Sequence, residues 1–269
     1  MVKAKIRKWE LILDNMAILF DQSNNLYVSG YSERGIFNAL LHEICNSTHA
    51  KELLRKLLLL VKTSTGTSFE KSIHGGELFI EPSLSDFGDV DAIALIHGEG
   101  WRRSIFFEGK VKSAQRRSWT VNQEWKKFIS GLSERLESSN LFAQLYYKIR
   151  FANTLKDGGI KALQLGIDFP ACSKKRIRKI GANPVVLRMT SIIEKYLDES
   201  FFIMIVPDNP RRVSEFFEND LTSFDSTRLQ GWDISHWGYL CWQDVRDFCY
   251  HNDLINSLRV FELNRGQIY

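Results

Sequence analysis

The chain predicts a mixed α/β fold, a β-sheet flanked by helices within one main domain, and three observations carry that prediction. Four apolar runs, ELFIEP, DAIALI, SIFFEGKV and FFIMIV, have the period and length of strands. Helix-spaced apolar stripes lie before, between and after these runs. The chain has 269 residues, 44% of them hydrophobic and 12% aromatic, enough to bury a core between a sheet and its helices.

Residues 1–30 contain short mixed segments with a turn at Ser23-Asn24-Asn25, and are expected to form an extension packed on a single domain at 31–269. Ser32 is a plausible N-cap for a first helix carrying Ile36, Phe37, Leu40, Leu41 and Ile44 on one face. Asn46-Ser47-Thr48 breaks it, and a second helix is expected from about Ala50 to Lys62. Glu77 to Pro82 reads as a strand that stops at the proline. Val90 to Ile96 and Ser104 to Val111 read as two further strands. His97-Gly98-Glu99-Gly100 joins them, which predicts an antiparallel pair.

Val121, Trp125, Phe128, Ile129, Leu132 and Leu136 then fall on one helical stripe. After Ser138-Ser139-Asn140 another helix carries Leu141, Phe142, Leu145, Tyr146 and Ile149, and is expected to end at Asp157-Gly158-Gly159. Ser191 to Leu197 reads as a short helix. Phe201 to Val206 is apolar at every position and reads as a strand buried on both faces. Trp237 to Trp242 reads as a last strand, followed by a terminal helix from Gln243 to about Leu258.

A net charge of +4 is mildly basic and compatible with a nucleic-acid partner, where a local patch matters more than the total. The apolar stretches, Leu57 to Val61 and Phe201 to Val206 among them, are far too short to span a bilayer. The charged N-terminus lacks the apolar stretch and small-residue cleavage site of a signal peptide, so a cytoplasmic protein is expected. The four cysteines, Cys45, Cys172, Cys241 and Cys249, lack C-x-x-C spacing and read as buried free thiols. The chain contains no G-x-S-x-G, no Walker-type loop, no G-x-G-x-x-G after a strand and no H-E-x-x-H, and its six histidines are scattered.

One constellation remains. Side chains alternate along a strand, so Glu108 and Lys110 point one way and Phe107 and Gly109 the other. A charged pair directly after Ile105-Phe106-Phe107 calls for a partner, because isolated buried charge is costly. Asp91 opens the preceding strand. Asp89 shares its parity and could take its place, but the alternating run DAIALI starts on Asp91. Carboxylates on neighbouring strands can converge on one oxygen-ligated cation such as Mg²⁺. On a helical wheel with Ile36 at zero, Glu33 falls at roughly 60°, inside the apolar arc.

An E-x-K triplet is common by itself. In the order acid, then E-G-K on the next strand, after a helix bearing an inward Glu, it resembles the active site of the PD-(D/E)XK, or restriction-endonuclease-like, nuclease superfamily. The resemblance spans Ser32 to Phe248 and implies a restriction-endonuclease-like mixed sheet flanked by helices. Val90 stands where that pattern has a proline. The resemblance implies a metal site of Asp91, Glu108 and Glu33 for Mg²⁺, with Mn²⁺ as a substitute. It makes Lys110 the residue that orients water or stabilises developing phosphate charge, and it adds Gln144, on the later helix, to the catalytic set. GYLCWQDV resembles a strand-to-helix step of the same superfamily, with Trp242 expected in the core.

The implied function is metal-dependent DNA cleavage in restriction, defence or repair, with a homodimer suited to cutting a duplex. Lys112, Arg116, Arg117, Lys174, Lys175 and Arg176 are the expected nucleic-acid contacts, giving affinity without sequence choice. Two other functions fit the same residues. One is a binding or structural protein that keeps the fold without cleavage. The other is a nuclease that acts on RNA or on free ends.

Overall fold

The computed structural model describes residues 30–64, 69, 72–112, 118–133, 136–169, 177–225, 227 and 229–268. The expected extension at 1–30 therefore lies outside the described residues, apart from Gly30.

Six strands form one mixed sheet. They are β1 (Lys62–Thr63), β2 (Gly75–Ile80), β3 (Ala92–Gly98), β4 (Trp101–Gly109), β7 (Glu199–Val206) and β8 (Trp237–Cys241), in the order β1-β8-β7-β4-β3-β2. β2, β3 and β4 form an antiparallel meander, with Ala92 opposite Phe107 and Gly98 opposite Trp101. β4, β7 and β8 run parallel, as strands joined by long helical connections can. A separate short ladder pairs β5 (Ile167–Asp168) with β6 (Ile177–Arg178).

The sheet separates two apolar cores. Ile93, Leu95, Phe106, Phe202, Met204 and Val206 face one core. Packed there are α3 (Val121–Gly131), α4 (Leu141–Leu165), α5 (Pro184–Ile193) and α6 (Pro210–Glu215). Ala92, Ala94, Ile105, Phe107, Phe201, Ile203 and Ile205 face the other core, against α1 (Ser32–Asn46), α2 (Ala50–Leu59), α7 (Trp242–His251) and α8 (Ile255–Leu263). Both faces of β7 are thus covered, which explains FFIMIV. The short α9 (Arg265–Ile268) ends the described chain.

Several expected boundaries move, each for a local reason. Ser32 is the first residue of α1 rather than its cap. Its φ is +64°, and its N–H donates to Asn264 Oδ1 at 2.8 Å, so a distant side chain caps the helix. α4 breaks at Gly159 (φ 65°, ψ −170°), as expected, but a further helical turn continues to Leu165. The expected terminal helix is two helices, separated where Asp253 adopts φ +54°. The helix expected at Ser191–Leu197 begins earlier, at Pro184. Asn183 Oδ1 caps it by accepting from Val185 N at 2.9 Å, and a 3₁₀ turn at Glu194–Tyr196 ends it. Cys241 and Cys249 are buried thiols, whereas Cys45 is exposed.

Candidate active site

The C-terminal ends of the parallel strands β4, β7 and β8 lie on one edge of the sheet. β3 runs antiparallel to β4, so it starts at that same edge. Ligands of open α/β sheets gather outside the carboxyl ends of the strands. Asp91, Glu108 and Lys110 all stand here.

Backbone and side-chain hydrogen bonds hold the main chain around them. The Asp91 carbonyl accepts from Glu81 N at 3.1 Å, and the Asp91 carboxylate Oδ2 accepts from Gly109 N at 2.7 Å. Lys110 N donates to Ile205 O at 2.9 Å, extending the β4–β7 ladder by one residue. The Lys110 carbonyl accepts from the buried Trp242 indole Nε1 at 2.7 Å. Trp242 is therefore core, as its motif implied, and it also pins the end of β4. Asp89, by contrast, is exposed and forms only an isolated bridge with Ser83, so Asp91 is the acid the fold brings to this edge.

Glu108 and Lys110 share a strand face, as their parity predicts, and that face looks onto α4. Lys110 Nζ donates to Gln144 Oε1. Glu108 Oε1 lies 2.9 Å from Lys148 Nζ, with both side chains almost completely buried. Gln144 and Lys148 are four residues apart and so lie on one helix face, matching Lys110 and Glu108 two apart on the strand. The start of α4 fixes their position. Buried Asn140 accepts from Ala143 N at 3.1 Å and donates through Nδ2 to the Glu124 carbonyl at 2.8 Å, tying α4 to α3.

Lys148 was not among the residues the sequence singled out. Its signal was present. Leu145, Tyr146, Tyr147, Ile149, Phe151 and Ala152 surround Lys148 with apolar and aromatic residues on all sides of the helix, and a lysine so placed needs a counter-charge.

Glu33 approaches the same edge from the opposite face of the sheet. A Cβ added to Gly109 would stand 3.1 Å from Glu33 Cβ, 3.0 Å from Phe37 Cε2 and 3.2 Å from Trp242 Cζ2. The missing side chain of Gly109 is what lets α1 and Trp242 close over the strand end. The expected three-carboxylate set is therefore not assembled. Among the described residues, no three His, Cys, Asp or Glu side chains are grouped so as to hold a metal ion. Asp91 and Glu108 form a pair on adjacent strands, and Glu33 adds charge from the far side.

That charge is felt. Burial pushes the Asp91 carboxyl up to about 7, and the Glu108 charge pushes it the same way, with a smaller push from Glu33. The Gly109 N–H and Lys110 act against them. An acid held this high is one that the fold buries first and crowds with negative charge second.

Lys112 lies beyond Lys110 on the same edge, its N–H donating to Gln267 O at 2.6 Å. It borders a cavity of about 460 Å³ that Ser118, Thr120, Asn209, Arg212 and Gln243 also line. Arg212, which the sequence did not suggest, is ion-paired there with Asp208 at 2.6 Å. Arg116, Arg117, Lys174, Lys175 and Arg176 lie outside the described residues. A second cavity, of about 880 Å³, is lined by Gly35, Asn38, His42, Asn46, Asn252 and Asn256 and by none of the site residues. Among the described residues no helix is long and apolar enough to cross a membrane. Comparison with protein-family models, curated proteins and solved structures finds no match for this chain.

Proposed function

We propose that this chain is a metal-dependent phosphodiesterase of the restriction-endonuclease-like kind, acting on DNA as an endonuclease. The observation that carries the reading is the meeting of Asp91 and Glu108, from adjacent antiparallel strands, with Lys110 on the same face at one sheet edge. Two carboxylates suit Mg²⁺, which keeps several waters and is bound through one or two carboxylates plus substrate phosphate. They do not suit a cation that needs an all-protein cage. A bound Mg²⁺ would supply Lewis-acid polarisation of the phosphate and a more acidic water.

The chain's own residues do the rest. Gln144 holds the Lys110 ammonium where it can stabilise charge developing on a phosphate oxygen. Trp242 and Ile205 fix the Lys110 backbone. Lys112, which lines the neighbouring cavity, would meet a phosphate next to the scissile one. A homodimer would bring two such sites to the two strands of a duplex.

The test is cleavage of supercoiled plasmid with Mg²⁺ or Mn²⁺, beside an EDTA control and Lys110→Ala. Metal-dependent nicking that is lost in the variant supports the reading. Cleavage of linear DNA alone, or of RNA alone, moves the substrate to free ends or to RNA. One observation favours a second reading, a nucleic-acid-binding protein without cleavage: Glu108 already has a cation partner in Lys148. Binding of DNA with no cleavage in either metal would support that reading.

A further inference from the structure

The contact of Lys148 with Glu108 differs from that of Arg103 with Glu199, in which only the arginine is buried. Arg103 Nε donates an aligned hydrogen bond to Glu199 Oε2 at 2.6 Å, far from the active edge. Lys148 Nζ approaches Glu108 Oε1 to 2.9 Å, yet neither atom has a hydrogen-bonding partner of proper direction. The contact is therefore one of charge and distance. A lysine head is a compact charge on a flexible stem, able to leave without breaking a fork of directed bonds. Gly88 borders it with φ +83°, and a Cβ there would stand 3.3 Å from Nζ. Space beside the ammonium is thus kept by a residue without a side chain, in the loop that leads to Asp91.

We propose that Lys148 is the resident counter-ion of Glu108, holding that carboxylate in the metal-free protein and yielding it to a divalent cation. The proposal rests on Asp91 and Glu108 being the metal pair. A carboxylate buried this deeply needs a positive partner at all times, and Lys148 supplies one when no metal is bound. Binding is then an exchange of cations at Glu108, which lowers the affinity for free metal. A phosphodiester that adds its own oxygens to the cation shifts the exchange towards the bound state. The ligand class is a hard divalent cation taken up together with a phosphodiester.

The experiment is titration of the full chain with Mn²⁺ alone, read by calorimetry, for wild type, Lys148→Met, Lys148→Arg and Asp91→Asn. Methionine keeps the length of the side chain and removes its charge. The expected result is that Lys148→Met binds Mn²⁺ about tenfold more tightly than wild type, or better, because the competing cation is gone. Lys148→Arg stays near wild type. Mn²⁺ also raises the thermal midpoint of Lys148→Met by more than that of wild type.

Wild-type binding that is lost in Asp91→Asn but unchanged or weaker in Lys148→Met overturns the exchange and leaves the metal pair standing. Binding unaltered in Asp91→Asn sinks the metal pair and the exchange with it. If Lys148→Met does not fold, lysine ¹³Cε resonances of the wild type decide. The Lys148 signal, identified by its absence in Lys148→Arg, moves at Mg²⁺ saturation if the exchange holds. A signal that stays in place at saturation overturns it.

Discussion

The indole of Trp242 reaches across 132 residues of sequence to donate a 2.7 Å hydrogen bond to the main-chain carbonyl of Lys110. The residue that opens α7 thereby fixes where β4 ends, and so where the Lys110 ammonium begins its reach. Trp242→Phe keeps an aromatic ring against Phe37 and Phe261 but removes the donor. The expected loss of stability is about 1–2 kcal/mol, read from the urea midpoint. If Lys110 acts on the scissile phosphate, kcat falls while KM stays near wild type, because the lost contact orients a group that acts in the transition state.

Gln144 is the partner of the Lys110 side chain. Gln144→Leu removes the acceptor and frees the ammonium to move by an ångström or more. Misplacement on that scale costs roughly 10²-fold in rate. Gln144→Glu keeps an oxygen within reach and is expected to recover most of the loss. Both are to be read in a cleavage time course on variants whose near-UV circular dichroism matches wild type. Equal activity in Gln144→Leu and wild type would remove Gln144 from the catalytic set.

Gly109 is a test of packing rather than chemistry. In Gly109→Ala the new methyl meets Phe37, Glu33 and Trp242 at 3.0–3.2 Å on three sides. All three belong to the α1 and α7 side of the core, which has little room to give. The expected cost is about 1–3 kcal/mol, typical of overpacking. The measurement is the denaturant midpoint at unchanged slope. A shift of a few tenths of a kcal/mol would mean that α1 can retreat from the strand end.

These contacts also indicate how far the sequence could be read. Strand parity alone placed Glu108 and Lys110 on one face, and the start of DAIALI placed Asp91 beside them, because both follow from the period of two. The helical wheel turned Glu33 inward correctly. It carries no information about which side of the sheet α1 covers, so the expected joint ligand set with Glu108 was not visible as a problem. Lys148 meets Glu108 forty positions earlier in the chain, and only the packing of α4 on β4 brings them together. The break between α7 and α8 was equally hidden. Asp253 adopts a left-handed conformation that its sequence permits but does not demand.

The last prediction concerns pH. In the metal-free protein, burial and the Glu108 charge raise the Asp91 carboxyl to about 7, from 3.8 for an ordinary aspartate. Below about pH 4 the folded and unfolded chains both hold this proton, and Asp91 imposes no penalty. Between about pH 4 and 7 the unfolded chain has released the proton while the folded chain keeps it, so rising pH favours unfolding. Above about 7 both are ionised and the penalty is constant. Its full size is about 4 kcal/mol, from the distance between the two pKa values. Other carboxylates titrate over the same range, so the quantity to measure is a difference: stability of Asp91→Asn minus that of wild type, from urea unfolding in EDTA at pH 4 to 8. The difference should grow steadily to pH 7 and then level off, because asparagine has no proton to lose. Repeated with saturating Mg²⁺, the growth should shrink, since a cation bound to the Asp91 carboxylate stabilises its ionised form. A difference that stays flat in EDTA would mean Asp91 is ionised in the folded protein throughout, and that the negative charge gathered at this edge is already neutralised.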